Sequence, residues 1–224
     1  MSDNQATQLP RLHFITDTQC QNRWSDLQLA TAVLEGGGEL IQYRDKFEGS
    51  TRTRLERAQE LAQVCQQHGA TLIINDRADI AKCTNGAGLH LGPTDLSITN
   101  ARQVIGSTPV IGATINHANH ARALVDTPPN YVGIGPFRAT SNKEAATYSL
   151  GLQGMQALLS ETQTILGRDI PAIAIGGIRL EDVAPLISIG FHGVAVIGAI
   201  AKAECPTTAT RAFLETISKA LEVD

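Results

Sequence analysis

The chain has 224 residues, of which 42% are hydrophobic and 18% are charged, a balance typical of a soluble globular protein. A formal net charge of −4 and an aromatic content of 4% argue against binding to nucleic acid or to an anionic membrane. The length suits one large domain, such as an α/β barrel, or two small ones.

The N-terminal stretch and the cysteines predict a cytoplasmic protein that is not bound to a membrane. Residues 1–11 are polar and lack the apolar core of a secretory signal, so we expect a flexible tail there. No apolar run approaches the ~20 residues of a membrane span. Four cysteines lie far apart without a CxxC pair, which is typical of reduced thiols. They are Cys20, Cys65, Cys83 and Cys205.

Beyond the tail, hydrophobic periodicity and stop signals predict strands and helices in strict alternation. The predicted strands are residues 12–16, 39–44, 71–74, 88–91, 110–114, 131–135, 172–175 and 193–197. The predicted helices are residues 26–35, 51–68, 78–83, 98–105, 118–125, 152–166, 180–189 and 208–221.

This alternation predicts the fold class. Strands that alternate with helices over short connections form a parallel sheet with right-handed crossovers. Eight such units in this length predict a single-domain (β/α)8 TIM barrel over residues 12–224. A doubly wound open sheet is the structural alternative. In a barrel the active site lies at the carboxyl ends of the strands, so the polar residues at those ends are the functional candidates.

Acidic residues follow the third and fourth predicted strands. Asp76 follows residues 71–74, and Asp95 follows residues 88–91. Neighbouring parallel strands lie about 4.8 Å apart, so the two carboxylates are placed to share a Mg²⁺ ion whose other ligands are water and substrate phosphate. Either aspartate alone could instead cap the helix that follows it. The pair on one rim favours the metal site.

Cationic and amide side chains follow the second predicted strand. Gln42, Arg44 and Lys46 share one strand face if the extension persists. The planar fork of arginine and the point charge of lysine both suit phosphate oxygens. The alternative is a solvated loop with surface charges.

Histidines have two predicted placements. His90 shares its strand face with two glycines, which predicts that it faces the barrel interior under the site. There it either fills the interior with a hydrogen bond or contacts a ligand. His117, His120 and His192 lie on helix or turn patterns, so we expect them at the surface.

Polar residues also follow the fifth and sixth predicted strands. Thr114 and Asn116 share a face and are predicted to lie at the rim. A polar loop over residues 137–149 follows the sixth strand, and a loop this long that contains a lysine is able to close over a ligand. Its polar residues include Thr140, Asn142 and Lys143.

Glycine backbone follows the last two predicted strands, at Gly176–Gly177 and at Gly198. Such backbone is the usual barrel device for phosphate, because N–H groups and a helix N-terminus then face the anion. The sequence thus predicts two anion sites, one cationic with a metal and one built from backbone amides.

Six motifs occur in an order that resembles one known superfamily. They are QYRDK (42–46), INDR (74–77), GLHLGPTD (88–95), GIGPFRATSNK (133–143), AIGG (174–177) and GVAVIGAI (193–200). Each motif alone is weakly specific, but the ordered set covers nearly the whole chain past Leu12. It is similar to the thiamine phosphate synthase and thiazole tautomerase superfamily, and to its synthase branch in particular.

The resemblance implies a Mg²⁺-dependent transferase that acts on small phosphorylated substrates. It joins 4-amino-2-methyl-5-hydroxymethylpyrimidine diphosphate to thiazole phosphate by a dissociative mechanism. Residues that match the family's pyrimidine-diphosphate contacts are Gln42, Arg44, Lys46, Asn75, Thr114 and Lys143. Residues that match its magnesium ligands are Asp76 and Asp95. Residues that match its thiazole-phosphate contacts are Thr140, Asn142, Gly177, Ile197 and Gly198.

Four positions depart from the pattern that the resemblance implies. The family usually has serine at Thr114 and often histidine at Asn116, and it usually has threonine at Asn142 and serine at Gly198. The rival hypotheses are a thiazole tautomerase of the same superfamily, another phosphate-handling barrel, and a non-catalytic regulatory barrel. Barrels of this kind often associate, so a homo-oligomer is left open.

Overall fold

Eight short parallel strands close into a barrel, because each pairs with its neighbours in the chain and the first also pairs with the last. The computed structural model describes residues 9–17, 19–45, 49–139, 148–166 and 170–222. The strands are β1 (Leu12–Ile15), β2 (Leu40–Tyr43), β3 (Thr71–Asn75), β4 (Gly88–Leu91), β5 (Ile111–Ile115), β6 (Tyr131–Ile134), β7 (Ala172–Ile175) and β8 (Gly193–Val196).

Helices follow the strands and surround the barrel. They are α1 (Asp26–Glu35), α2 (Thr51–Gln67), α3 (Ala78–Cys83), α4 (Ile98–Ile105), α5 (Ala118–Arg122), α6 (Gly151–Leu166), α7 (Val183–Ser188), α8 (Gly198–Ala201) and α9 (Pro206–Leu221), with a 3₁₀ turn at Leu180–Asp182. Three of the helices begin at serine N-caps, whose hydroxyls accept a hydrogen bond from the N–H three residues later. These caps are Ser25, Ser50 and Ser97.

Two hydrophobic clusters follow from the two faces of each strand. One set of side chains, such as Phe14, Leu89 and Val132, packs against the surrounding helices. The other set fills the barrel interior. It includes the buried residues Ile15, Tyr131, Ile173 and Ala195. The filled interior leaves the carboxyl ends of the strands as the place for a ligand.

The expected single-domain (β/α)8 barrel is confirmed, and the closing pairing of β1 with β8 rules out the open sheet. Five predicted elements have the observed bounds, α5 ends three residues earlier than predicted, and most of the others differ by one or two residues. The predicted helix 180–189 is instead a 3₁₀ turn followed by α7. Sequence periodicity missed α8, because four residues are too few to show a repeat.

The N-terminal residues that the structure describes contact the barrel. His192 Nε2 lies 2.7 Å from the Leu9 carbonyl oxygen, and Arg11 donates a hydrogen bond to the His192 carbonyl oxygen. Residues 1–8 of the expected tail lie outside the described residues. Across the part of the chain that the structure covers, no helix combines the length and apolar character needed to cross a bilayer.

Candidate active site

A cavity of about 740 Å³ lies at the carboxyl ends of the strands, where barrel enzymes carry their active sites. Six of the predicted substrate-contact residues line it together. These are Gln42, Arg44, Asn75, Gly177, Ile197 and Gly198. The cavity therefore joins residues from β2 and β3 with backbone that follows β7 and β8.

A buried ion pair holds Arg44 at the cavity wall. Its Nη1 lies 2.6 Å from Oδ2 of Asp17, and the two side chains are only 9% and 3% exposed. A buried guanidinium without a partner would be costly, so Asp17 orients Arg44 as well as neutralising it. Sequence reasoning missed Asp17, although it follows the first predicted strand just as Asp76 follows the third.

Beneath the cavity, a polar network crosses the barrel interior. His90 Nδ1 lies 3.0 Å from the Tyr131 hydroxyl, and His90 Nε2 lies 2.9 Å from Thr114 Oγ1. His13 packs edge-on to the Tyr131 ring, and burial lowers the pKa of His13 to about 3. His90 thus both lines the cavity and fills the interior, while Thr114 lies buried beside it.

The two aspartates lie at the neighbouring ends of β3 and β4, as expected. Asp76 has a left-handed backbone (φ 64°), and its N–H donates to the His90 carbonyl oxygen at 2.9 Å. Asp95 Oδ2 accepts a hydrogen bond from the Gly92 N–H at 2.6 Å. Neither aspartate caps a helix, because the N-caps of α3 and α4 are Arg77 and Ser97.

This pair fits the chemistry of a Mg²⁺ ion. Two carboxylates supply the hard oxygen ligands that Mg²⁺ prefers. Within the described ranges, no three His, Cys, Asp or Glu side chains converge into a larger metal cluster. A Mg²⁺ ion held by Asp76 and Asp95 would therefore take its other ligands from water and a bound phosphate, as Mg²⁺ commonly does.

Glycine backbone forms the opposite wall. Gly176 and Gly177 both have positive φ (106° and 63°), and a Cβ on Gly176 would lie 2.6 Å from Pro136 Cα. Only glycine fits this turn without strain. After β8, the first residue of α8 is Gly198. The Lys202 side chain packs next to Gly198, since its Cε would lie 3.8 Å from a Cβ at that position.

Four predicted site residues, Lys46, Thr140, Asn142 and Lys143, lie outside the described residues. The two ends of the predicted loop that the structure describes are tied to the rim. Arg138 forms a bidentate ion pair with Asp182 and donates a hydrogen bond to the Gly177 carbonyl oxygen at 2.9 Å. The Tyr148 hydroxyl donates to the Asn116 carbonyl oxygen at 3.2 Å.

Two imidazoles, tilted by 43° to each other, line the cavity wall; His117 is exposed, as expected, and His120 is half-buried. The ring centroids of His117 and His120 lie 3.7 Å apart, and both rings line the cavity. The Asn116 N–H donates to His120 Nδ1 at 3.3 Å. Burial, and then the neighbouring His117, lowers the pKa of His120. The five-residue helix α5 is too short for periodicity to reveal which side faces the cavity.

Comparison with known proteins gives one consistent result. Residues 12–200 match the family model described as thiamine monophosphate synthase. The chain is 35% identical to a thiamine-phosphate synthase of Salinibacter ruber, over 94% of this chain and 90% of that protein. It is 37% identical to a thiamine-phosphate synthase of Bacteroides thetaiotaomicron, over 91% and 95%. The solved thiamine phosphate pyrophosphorylase from Pyrococcus furiosus superposes with a TM-score of 0.81 at 28% identity, covering 94% and 96%.

Proposed function

We propose a reaction for this chain from one premise, which is that the chain belongs to the thiamine phosphate synthase family. It is an enzyme, a transferase of thiamine biosynthesis. The proposed reaction joins 4-amino-2-methyl-5-hydroxymethylpyrimidine diphosphate to thiazole phosphate and releases diphosphate. The observation that carries it is the single cavity that gathers Gln42, Arg44 and Asn75 opposite the glycine backbone of residues 177 and 198.

The diphosphate end of the cavity is the place for bond cleavage. In the proposed dissociative step, the C–O bond breaks and its electron pair leaves with the diphosphate. Arg44, with Lys46 and Lys143, neutralises that charge. The remaining pyrimidine-methyl cation is attacked by the thiazole nitrogen, whose lone pair forms the new C–N bond. The protein positions both reactants and stabilises charge, so no protein nucleophile is required.

Asp76 and Asp95 are the residues proposed to hold Mg²⁺. The ion, when bound, supplies positive charge to the phosphate oxygens of the leaving group. The chain itself contributes two carboxylates at the ends of neighbouring strands. The backbone bond from the Asp76 N–H to the His90 carbonyl oxygen, which ties the end of β3 to β4, and the bond from the Gly92 N–H to Asp95 Oδ2 support this proposal. Asn75 and Gln42, on the adjacent cavity wall, are proposed to contact the pyrimidine.

The glycine wall is proposed to hold the thiazole phosphate. Backbone N–H groups at Gly177, Ile197 and Gly198 face the phosphate, with Thr140 and Asn142 from the loop. Gly198 lacks the hydroxyl that the family usually supplies. Lys202, which lines the same wall, supplies a cation instead. This arrangement places the acceptor across the cavity from the leaving group.

One observation favours a second candidate, the thiazole tautomerase reaction. The tautomerase branch uses a histidine where this chain has Asn116. Here the His120 ring lies within hydrogen-bonding distance of the Asn116 N–H, so an imidazole reaches the same part of the wall. Burial lowers the pKa of His120, which keeps it neutral and available as a base near pH 7.

Three incubations of the purified protein separate these functions. With both substrates and Mg²⁺, the synthase forms thiamine phosphate. With the thiazole carboxylate phosphate alone and no Mg²⁺, a tautomerase interconverts the ring isomers. A regulatory barrel binds the pyrimidine diphosphate or the thiazole phosphate without turnover in any incubation. Product formation only in the first incubation is the expected result, and isomerisation in the second without product in the first would contradict the proposal.

A further inference from the structure

The segment that follows β6 runs alongside the turn that follows β7. The Phe137 N–H donates to the Ile175 carbonyl oxygen at 2.9 Å. The Arg138 N–H donates to the Gly176 carbonyl oxygen, also at 2.9 Å. The Arg138 guanidinium donates to the next carbonyl oxygen, that of Gly177, at the same distance. Residues 137 and 138 therefore hold three successive carbonyls of the turn.

These bonds determine where the N–H groups of the turn point. In an extended strand successive carbonyls face opposite sides, but the positive φ angles of Gly176 and Gly177 turn them to one side. Because each N–H of a trans peptide points away from the preceding carbonyl, the N–H groups of Gly177 and Ile178 point away from the β6 segment.

The two N–H groups are placed to bind an anion. Gly177 and Ile178 both line the cavity. Neither N–H donates to a protein acceptor among the residues that the structure describes. Successive backbone N–H groups on one side of a turn form a concavity that suits an anion such as phosphate.

A buried carboxylate holds the Arg138 guanidinium against the turn. Both oxygens of Asp182 pair with the guanidinium, and Arg138 Nη2 lies 2.7 Å from Asp182 Oδ1. The Asp182 side chain is only 8% exposed, and its Oδ2 also accepts a hydrogen bond from the Arg179 N–H at 2.7 Å. Asp182 thus ties Arg138 to the far end of the same turn.

The pair acts on the cavity through the turn rather than by contact. The carboxylate neutralises the guanidinium charge, and both Nη atoms already donate to protein oxygens. Neither Arg138 nor Asp182 is among the described residues that line the cavity. Direct attraction between Arg138 and a bound phosphate is therefore small.

We propose that Arg138 and Asp182 are positioning residues that orient the Gly177 and Ile178 N–H groups toward the phosphate of the substrate. The inference rests on the proposed function, which puts the thiazole phosphate at this glycine wall. A turn that is not tied in this way has to order its peptides when the phosphate binds, and that cost weakens binding.

Substitution of Asp182 separates positioning from simple electrostatics, because the two predict opposite signs. Asp182→Asn removes a negative charge near an anion site, so electrostatics alone would tighten phosphate binding. Asparagine keeps the shape but has one acceptor oxygen in place of two, so a bond to the guanidinium is lost. Positioning predicts that the Kd for thiazole phosphate rises roughly 3- to 10-fold.

A second variant tests the guanidinium. Arg138→Lys keeps the charge but lacks the planar fork that bonds Asp182 and the Gly177 carbonyl together, so the Kd is again expected to rise roughly 3- to 10-fold. Asp79→Asn is the matched control, because it breaks another bidentate pair, with Arg77, away from the cavity lining. This exposed pair is expected to change the Kd by less than about twofold.

Amide NMR of the nitrogen-15-labelled protein, titrated with thiazole phosphate, measures both the site and the Kd. The Gly177 and Ile178 amide protons of the wild-type protein are expected to move downfield as phosphate binds. Unmoved amides overturn the proposal even if a variant fails to fold. Unchanged or tighter binding in Asp182→Asn, or wild-type affinity in Arg138→Lys, overturns it as well.

The titration needs neither pyrimidine diphosphate nor turnover, so it separates this inference from the proposed function. Wild-type phosphate affinity in both variants of an active synthase contradicts the positioning role alone. Phosphate-dependent shifts at Gly177 and Ile178 that weaken in both variants support the positioning role, and an absence of thiamine phosphate in the synthase assay then contradicts the proposed reaction alone.

Discussion

His90 Nε2 lies 2.9 Å from Thr114 Oγ1, so a ring on β4 orients a hydroxyl at the end of β5. Both side chains are buried below the cavity. Thr114 is therefore held by the protein before any substrate arrives. From this contact we expect function to depend on a hydroxyl at position 114 more than on the identity of the residue that supplies it.

The first prediction concerns that hydroxyl. Thr114→Ser keeps it, and we expect turnover within about twofold of wild type. Thr114→Val removes the buried hydroxyl that lies 2.9 Å from His90 Nε2, which costs about 1–3 kcal/mol of unfolding free energy. We also expect kcat/KM for the pyrimidine diphosphate to fall roughly 10-fold or more. Steady-state kinetics and urea unfolding check both effects, and wild-type kinetics in Thr114→Val would remove Thr114 from the site.

The buried pair between Arg44 and Asp17 carries the second prediction. Asp17→Asn removes the buried carboxylate that lies 2.6 Å from Arg44 Nη1, so we expect a loss of about 3–5 kcal/mol in unfolding free energy and a higher KM for the pyrimidine diphosphate. The surface pair between Arg77 and Asp79 is the control, because an exposed pair is worth about 0–1 kcal/mol. Equal losses in Asp17→Asn and Asp79→Asn would contradict the positioning role of Asp17.

The third prediction concerns the metal site. Asparagine adopts the left-handed backbone that position 76 requires, so Asp76→Asn is expected to fold. Asp95→Asn keeps an oxygen that accepts the hydrogen bond from the Gly92 N–H, so it is expected to fold as well. Loss of a carboxylate should raise the Mg²⁺ concentration for half-maximal activity at least 10-fold. Titration of activity with MgCl₂ measures it. Asp126→Asn, on the surface, is the control, and an unchanged Mg²⁺ titration in both site variants would exclude the two aspartates as ligands.

The fourth prediction concerns Lys202. Lys202→Met keeps the aliphatic packing beside Gly198 but removes the charge, so we expect KM for thiazole phosphate to rise about 10-fold with little change in KM for the pyrimidine diphosphate. Lys219→Met, near the end of α9, removes an exposed charge elsewhere and serves as the control. Equal changes in the two KM values would show that Lys202 acts generally rather than on the thiazole phosphate.

The fifth prediction concerns pH and stability. Burial, and then the nearby Asp45, raises the pKa of Asp26 from 3.8 to about 6. Between these values the folded protein holds a proton that the unfolded chain has lost, so the unfolding free energy falls as pH rises through this window. Above pH 6, Asp26→Asn is expected to be more stable than wild type, by about 1–3 kcal/mol. The difference should vanish below about pH 4.

Urea unfolding of wild type and Asp26→Asn at several pH values measures this effect. Glu35→Gln, at the exposed end of the same helix, is the control and should leave the pH profile unchanged. A constant difference between wild type and Asp26→Asn across the pH range would mean that Asp26 does not titrate as described.

The sequence was sufficient for the fold because the barrel repeats one local pattern eight times. Each strand is short and apolar, and each is followed by a helix with a clear stop, so strand order and closure follow from chain order. The repeated strand–helix order also shows which residues lie at the carboxyl ends of the strands. Three of these residues, Gln42, Arg44 and Asn75, line the cavity. It works because strand direction alone determines which end of the barrel a residue reaches.

The side-chain partners could not be predicted in the same way. The pairing of Arg44 with Asp17 and that of His90 with Tyr131 join residues 27 and 41 positions apart, and no local pattern encodes them. Gly112 is a weak indication in the sequence of where the Tyr131 ring lies, since a residue without a side chain inside a barrel makes room for a large one on the next strand. Lys202 lies on α8, a helix too short to be recognised from its sequence.

The most direct test of the central claim is the stoichiometry of one turnover. The pyrimidine diphosphate, labelled with carbon-13 at its exocyclic methylene, is mixed with excess enzyme, Mg²⁺ and thiazole phosphate, and the quenched mixture is analysed. The account predicts one diphosphate released for each thiamine phosphate formed, with the label in the methylene bridge and no such product when thiazole phosphate is omitted. Binding of both substrates without any labelled thiamine phosphate would contradict it.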